Sequence, residues 1–241
     1  MDEINAAIRL VKFLSTNAGV SRRAAGDLVK AGRVVVNRTT ETSPGRQILP
    51  DDRVELDGKP VKPETTSQKL YFLLNKPRGF VCTAADPHAE RKAVDLVPAP
   101  AGCRLFSAGR LDKDSEGMLI FSNDGDYVAR LTHPRNNILK TYLVTVTRPF
   151  SDRELALIRH GVEDDGEFLR VESIEPAARP GRYLIVLNEG RKREIRRITA
   201  AAGAPTVALR RIRIGRLKLG DLAVGAARKL TPAEVAASLE N

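Results

Sequence analysis

Gly109-Arg110-Leu111-Asp112-Lys113-Asp114-Ser115-Glu116-Gly117-Met118-Leu119-Ile120-Phe121-Ser122-Asn123-Asp124-Gly125 is the most informative run in this chain. Two glycines bracket a polar segment around Asp112, the apolar run Met118 to Phe121 follows at once, and Asn123-Asp124-Gly125 closes it with a turn signal. The pattern predicts a tight loop feeding a buried strand. Asp112, Asp114 and Glu116 alternate as the acids of a calcium loop do, but the twelfth position, where such a loop needs a bidentate Glu, falls on Asn123. The residues before it are strand-like where a helix should begin. On this reading Asp114 and Glu116 are solvated loop acids, and Asp112 is the residue that needs a chemical explanation.

The chain has 241 residues, 42% apolar and 29% charged. That is ordinary for a globular protein and long enough for a small and a large domain. No run is long enough to span a bilayer and no secretory signal opens the chain, so a cytoplasmic location and no membrane partner are expected. Cys82 and Cys103 form no CxxC pair, and His88, His133 and His160 are scattered. Reduced thiols and no metal follow as expectations. The net charge is +10, and Glu189 to Lys218 holds ten Lys or Arg against two Glu. This block is patterned for strand and helix, which suits a structured surface facing a phosphate-rich partner.

The apolar spacing of Ile8, Val11 and Leu14 predicts a helix from Ile8 to Ala18. Ser21 N-caps a second running to Ala31, where Gly32 stops it. Val34-Val35-Val36, Gln47-Ile48-Leu49 and Arg53-Val54-Glu55-Leu56 read as short strands, with Asp57-Gly58 a turn. Lys62 to Gln68 is a polar linker, which divides the chain into residues 1–66 and 69–241. Beyond it, Leu70 to Leu74, Phe80-Val81-Cys82, Lys140 to Val146, Phe168 to Ile174 and Tyr183 to Leu187 read as strands. Asp126 to Leu131, a capped helix opened by Ser151-Asp152-Arg153-Glu154, and Ile195 to Ala202 read as helices. Strands outnumber helices too strongly for repeated βαβ units. The fold class is therefore α+β with a mixed, mainly antiparallel sheet.

Gly109-Arg110-Leu111-Asp112 followed by Ser115-Glu116-Gly117-Met118-Leu119 resembles the catalytic loop of the pseudouridine synthases, in the ribosomal-RNA branch typified by RsuA and RluB. The helix, helix, strand order with Ser21-Arg22-Arg23 and Lys30-Ala31-Gly32-Arg33-Val34 resembles the αL RNA-binding module named after a small-subunit ribosomal protein. That likeness implies RNA phosphates against Arg22, Arg23, Lys30 and Arg33. Lys76-Pro77 with Gly79 resembles the family's first motif, which implies support of the catalytic loop and places Lys76 among the substrate-side residues.

The resemblance further implies a cofactor-independent isomerisation of uridine to pseudouridine in ribosomal RNA or a pre-ribosomal particle, by a monomer. Asp112 is implied to attack the ribose or remove a sugar proton. Either role needs an ionised carboxylate, a state that a neighbouring arginine stabilises. Glu189-Gly190-Arg191-Lys192-Arg193-Glu194-Ile195-Arg196-Arg197 resembles the last motif and implies Arg196 as that partner, with Arg191, Arg193 and Arg197 left for phosphates. Tyr142, after Lys140-Thr141, matches the tyrosine that stacks on the target base. Arg110 matches the arginine that fills the space of a flipped base, and Leu209 matches a pocket residue. Met118, Thr206 and Ala208 depart from the usual pattern. Large-subunit RNA is expected over small-subunit RNA. Two readings compete: a non-catalytic RNA-binding assembly factor, which leaves the coexistence of Asp112, Tyr142 and Arg196 unexplained, and metal-dependent RNA hydrolysis through the acidic loop.

Overall fold

A computed structural model describes residues 7–63, 68–83 and 90–241. The chain divides into two compact units, Met1–Gln68 and Lys69–Asn241. Most of the predicted linker, with its midpoint at Thr65 and Thr66, lies outside the described residues, as does His88.

The first unit runs β1 (Ile8–Arg9), α1 (Leu10–Asn17), α2 (Arg22–Lys30), β2 (Val34–Val36), β3 (Thr39–Glu41), β4 (Gln47–Ile48), β5 (Val54–Leu56) and β6 (Lys59–Val61). Leu10, Phe13 and Leu14 of α1 and Ala25 and Val29 of α2 bury their apolar stripe on Val34, Val36, Ile48 and Val54. The Ser21 side chain accepts the Ala24 N–H at 3.0 Å, which caps α2 as expected. The first helix starts two residues later than its spacing suggests, because Ile8 and Arg9 pair with Ile48 and Gln47. β3 and β6 carry no apolar alternation. They exist because Asn37-Arg38 (φ 51° and 69°) and Asp57-Gly58 (φ 52° and 72°) make two-residue turns with both central residues left-handed, which fold each strand back on its neighbour in the order β3-β2-β5-β6.

The second unit contains β7 (Tyr71–Lys76), β8 (Phe106–Ser107), β9 (Glu116–Ser122), α3 (Gly125–Thr132), β10 (Lys140–Val146), α4 (Asp152–His160), β11 (Val162–Asp164) and β12 (Glu167–Leu169). It continues with β13 (Ser173–Pro176), β14 (Arg182–Leu187), α5 (Glu194–Ala201), β15 (Thr206–Ile214), β16 (Leu217–Lys218), β17 (Ala227–Lys229) and α6 (Pro232–Ser238). The main sheet follows the order β13-β14-β10-β15-β9-β7-β17, with β8 on β9 and β16 on β15. Every pairing in it is antiparallel except β15 with β9. The mixed, mainly antiparallel α+β architecture is the expected one.

β9 is buried on both faces, which is why its sequence is continuously apolar. Met118 and Ile120 enter a core with Tyr127, Leu131 and Ile214, whereas Leu119 and Phe121 enter the larger core with Phe72, Leu74 and Val144. The capping box at Ser151 and Glu154 forms as read. Two expectations need correction. Phe80-Val81-Cys82 is not a strand: Gly79 turns the chain at φ 89° and only Val81 bridges, to Lys92. Phe168 to Ile174 is two strands, β12 pairing locally with β11 and β13 joining the main sheet, so the apolar run changes partners midway.

Candidate catalytic cleft

The loop before β9 is held by its main chain. Lys76, buried at the end of β7, donates from Nζ to the carbonyl oxygens of Pro77 (3.1 Å), Asp112 (3.1 Å) and Ser115 (2.7 Å). The Gly79 N–H donates to Lys113 O at 2.7 Å, Arg78 Nε donates to Asp114 O at 3.0 Å, and the Leu111 N–H reaches Cys82 Sγ at 3.3 Å. Every carbonyl from Asp112 to Ser115 is thereby occupied. Burial pushes the Lys76 ammonium below its ordinary range, a cost offset by the three oxygens around it. Lys76 therefore cannot touch substrate: the grouping with substrate-side residues is corrected, and the support of the loop stands.

Gly117 fixes the other end. With φ 104°, and with any Cβ landing 2.3 Å from Arg211 O, it lets β15 pass close against β9 where the two pair in parallel. Beside this loop opens a cleft of about 780 Å3 lined by Arg110, Asp112, Lys140, Tyr142, the loop from Glu189 to Arg193, Arg196, Leu209 and Arg211. The cleft thus gathers the predicted Asp112, Tyr142, Arg110, Leu209, Arg191, Arg193 and Arg196. Tyr142 and Leu209, each 7% exposed, are walls supplied by adjacent strands β10 and β15. Arg110 is exposed at the lip.

The arginines divide differently from expectation. Arg196 rises from the first turn of α5 with Nη1 on Thr206 O (3.4 Å), and its Nη2 ends 3.0 Å from Asp114 Oδ2, 3.3 Å from Asp114 O and 3.4 Å from Ser115 Oγ. Its contact partner is Asp114, not Asp112, because that anchor fixes how far the guanidinium reaches. Asp114 is accordingly more than a solvated acid; Arg193 approaches it as well, at 3.4 Å. The Arg196 charge still reaches Asp112 through space, and among the described residues no ion pair ends on the Asp112 carboxylate.

Arg197 is removed from the phosphate set. It ion-pairs with Asp164 and Glu167 and donates to Asp164 O at 2.6 Å, which pins α5 to the β11–β12 hairpin. Arg191 pairs with Glu189 at 3.0 Å and donates to Phe168 O at 2.8 Å. In the first unit Arg22, Arg23 and Lys30 are exposed on α2, but Arg33 is held by Asp57 through two hydrogen bonds of 2.7 and 2.6 Å. Sequence reasoning missed the functional weight of Asp114, Arg78 and Cys82, whose contacts are all long-range. It also passed over Lys140, although the Lys-Thr-Tyr motif contains it. Among the described residues no group of three His, Cys, Asp or Glu side chains is placed to hold a metal, and no helix is long and apolar enough to cross a membrane.

A cleft lined by arginines, a tyrosine and an apolar wall, a carboxylate on a clamped loop and a separate basic module define an RNA-modifying enzyme. Residues 70–201 match the RNA pseudouridylate synthase family and residues 8–54 match the S4 domain, and the chain belongs to the RNA pseudouridylate synthases, which isomerise uridine in RNA. It is 36% identical over 233 residues to an RNA pseudouridine synthase of Aquifex aeolicus (strain VF5), covering 95% of this chain and 92% of that one. It is 35% identical over 231 residues to ribosomal small subunit pseudouridine synthase A of Escherichia coli (strain K12), covering 95% and 99%. A crystal structure of a pseudouridylate synthase superposes with a TM-score of 0.69 at 29% identity, covering 96% of this chain and 99% of that one.

Proposed function

We propose that this protein converts a specific uridine of small-subunit ribosomal RNA to pseudouridine, with Asp112 as the carboxylate that acts on the ribose. The observation that carries the role of Asp112 is its setting: its own carbonyl and those of the three residues after it are all engaged, while Asp112 lines the same cleft as Tyr142. Its backbone is thus fixed while its side chain remains available, the preorganisation that an attacking or proton-removing group needs. Tyr142 offers a ring face for the base and Leu209 an apolar wall. Arg110 at the lip takes the place of the base once the uridine has flipped out, a movement required because a stacked base is out of reach. Arg196 acts on Asp112 indirectly, by holding Asp114 and the turn that carries Asp112. Arg22, Arg23 and Lys30 supply phosphate contacts in the S4 domain.

The name of the Escherichia coli relative supports small-subunit RNA and displaces the large-subunit preference drawn from sequence. A ribosomal substrate puts the enzyme in the cytoplasm. The test is pseudouridine mapping in ribosomal RNA from cells lacking the protein, complemented with wild type or Asp112→Asn. One small-subunit site restored only by wild type is expected. Restoration by Asp112→Asn would remove Asp112 from the chemistry, and no lost site would favour the assembly-factor reading.

A further inference from the structure

We infer that Lys140, backed by Arg211, is the group that receives the negative charge of the departing uracil, an assignment that rests on the uridine-isomerising reading of this cleft.

The first support is a charge inventory. The arginines of the cleft that come from α5 and the loop before it meet carboxylates: Arg191 meets Glu189, and Arg193 and Arg196 meet Asp114. Of the cleft cations that meet no carboxylate among the described residues, Arg110, Lys113 and Lys192 are exposed, whereas Lys140 and Arg211 are not. Lys140 is half-buried, and Nζ donates to Asn188 O at 3.2 Å, which uses one of three N–H groups. Arg211 is 4% exposed; its Nε donates to Met118 O at 2.7 Å, while Nη2 is buried without a hydrogen-bond partner. Burial and the nearby Arg211 push the Lys140 ammonium down to about 8. Two neighbouring cations without a carboxylate between them repel each other and are costly to desolvate. An anionic guest removes that cost.

The second support is position. Lys140 and Tyr142 lie two residues apart on β10 and so share a face, and Arg211 is the cross-strand neighbour of Tyr142, its guanidinium carbon 6.0 Å from the ring centroid. A base resting on Tyr142 would have the Lys140 ammonium at its edge and the Arg211 charge behind the ring. Asp112 lines the same cleft from the loop.

The third support is the chemistry. When the C1′–N1 bond breaks, its electron pair stays on N1 and the base becomes an anion whose charge spreads to O2 and O4. This holds whether Asp112 bonds to C1′ or removes the C2′ proton. The base then turns and C5 bonds to C1′, either displacing the Asp112 carboxylate from C1′ or, if the C2′ proton was removed, as C2′ takes that proton back; the C5 proton then departs and N1 takes up a proton, so the net change is an isomerisation. A fixed ammonium in a partly desolvated cleft stabilises the charge at the moment it appears.

The test compares two transcripts of the ribosomal RNA target, one with uridine and one with 5-fluorouridine. Fluorine withdraws electrons and stabilises the base anion without help from the protein. Wild type, Lys140→Arg and Lys140→Gln are assayed under single turnover for loss of the N-linked nucleoside, and RNA affinity is measured separately by filter binding. Lys140→Gln is expected to slow the uridine transcript about 100-fold or more, as removal of one stabilising donor does, and the fluorinated transcript less than about 10-fold. Its RNA affinity is expected to stay near that of wild type, and Lys140→Arg should recover most of the uridine rate. Equal loss on both transcripts overturns the assignment. A defect confined to affinity overturns it too, and makes Lys140 a phosphate contact. If wild type converts neither transcript, the reading of the reaction itself has failed.

Discussion

Replacing Gly117 with Ala places a methyl group where there is no room for one. The new Cβ would lie 2.3 Å from Arg211 O and 2.7 Å from Arg211 N, both main-chain atoms that a rotamer change cannot clear. The backbone at φ 104° adds strain of its own for any residue with a side chain. Strain of about 1–3 kcal/mol and overpacking of about 1–3 kcal/mol sum to about 4 kcal/mol, a large part of the stability of a typical domain. For a unit of this size that corresponds to a fall in Tm of about 12 °C. The assay is differential scanning calorimetry of the full chain beside Gly190→Ala, where a Cβ meets nothing within 4 Å. The transition of the second unit should drop in Gly117→Ala and stay within about 2 °C in Gly190→Ala. Activity should fall with it, because the same contact sets where the Asp112 loop enters β9. A Gly117→Ala enzyme as stable as wild type would refute the reasoning that the parallel β9–β15 contact fixes the loop.

Three more expectations follow from the placement of charges. Lys76→Met strips three carbonyl oxygens of their donor and should cost about 2–4 kcal/mol while also lowering turnover; urea denaturation with unchanged Cm would show that the loop needs no such clamp. Removing Arg22, Arg23 and Lys30 together should shrink the slope of log affinity against log salt by about 2, whereas Arg33→Ala or Arg197→Gln, each already matched by carboxylates, should change it by less than about half a unit; filter binding across a salt series decides, and an Arg197 effect as large as the triple one would return that residue to the RNA surface. The Glu234 carboxyl is held down to about 2, chiefly by two hydrogen bonds from Arg228. A lowered carboxylate contributes its stability above its ordinary value of 4.5 and loses it as pH falls toward 2. Melts from pH 6 to 2.5 should therefore fall more steeply for wild type than for Glu234→Gln, and parallel curves would remove the ion pair from the acid sensitivity.

Features whose signal is local were legible in the sequence: the capped helices α2 and α4, the strand Lys140 to Val146, the doubly buried β9 and the loop that feeds it. The strands β3 and β6 were not, since their cause is a pair of left-handed turns and not an apolar period. Nor was the boundary inside Phe168 to Ile174, where one apolar run serves two sheets. At the site the residues that cluster were identifiable from their motifs, but their pairings were not. Whether Arg196 meets Asp112 or Asp114 depends on where Thr206 O stands, and whether Arg197 is free depends on a hairpin 30 residues away in the chain. Lys76 reads as a surface cation in any linear view; only the closing of β7 against the loop buries it.

The clamp on residues Asp112 to Ser115 grips carbonyl oxygens, which every amino acid possesses. The exposed Lys113 side chain can consequently be exchanged without loosening the clamp, whereas Asp114 is tied to Arg193 and Arg196 and Ser115 is buried. With the proposed reacting residue Asp112 held through the main chain, the outward-facing position 113 is free to diverge, so the loop can change its surface there while keeping the clamp intact.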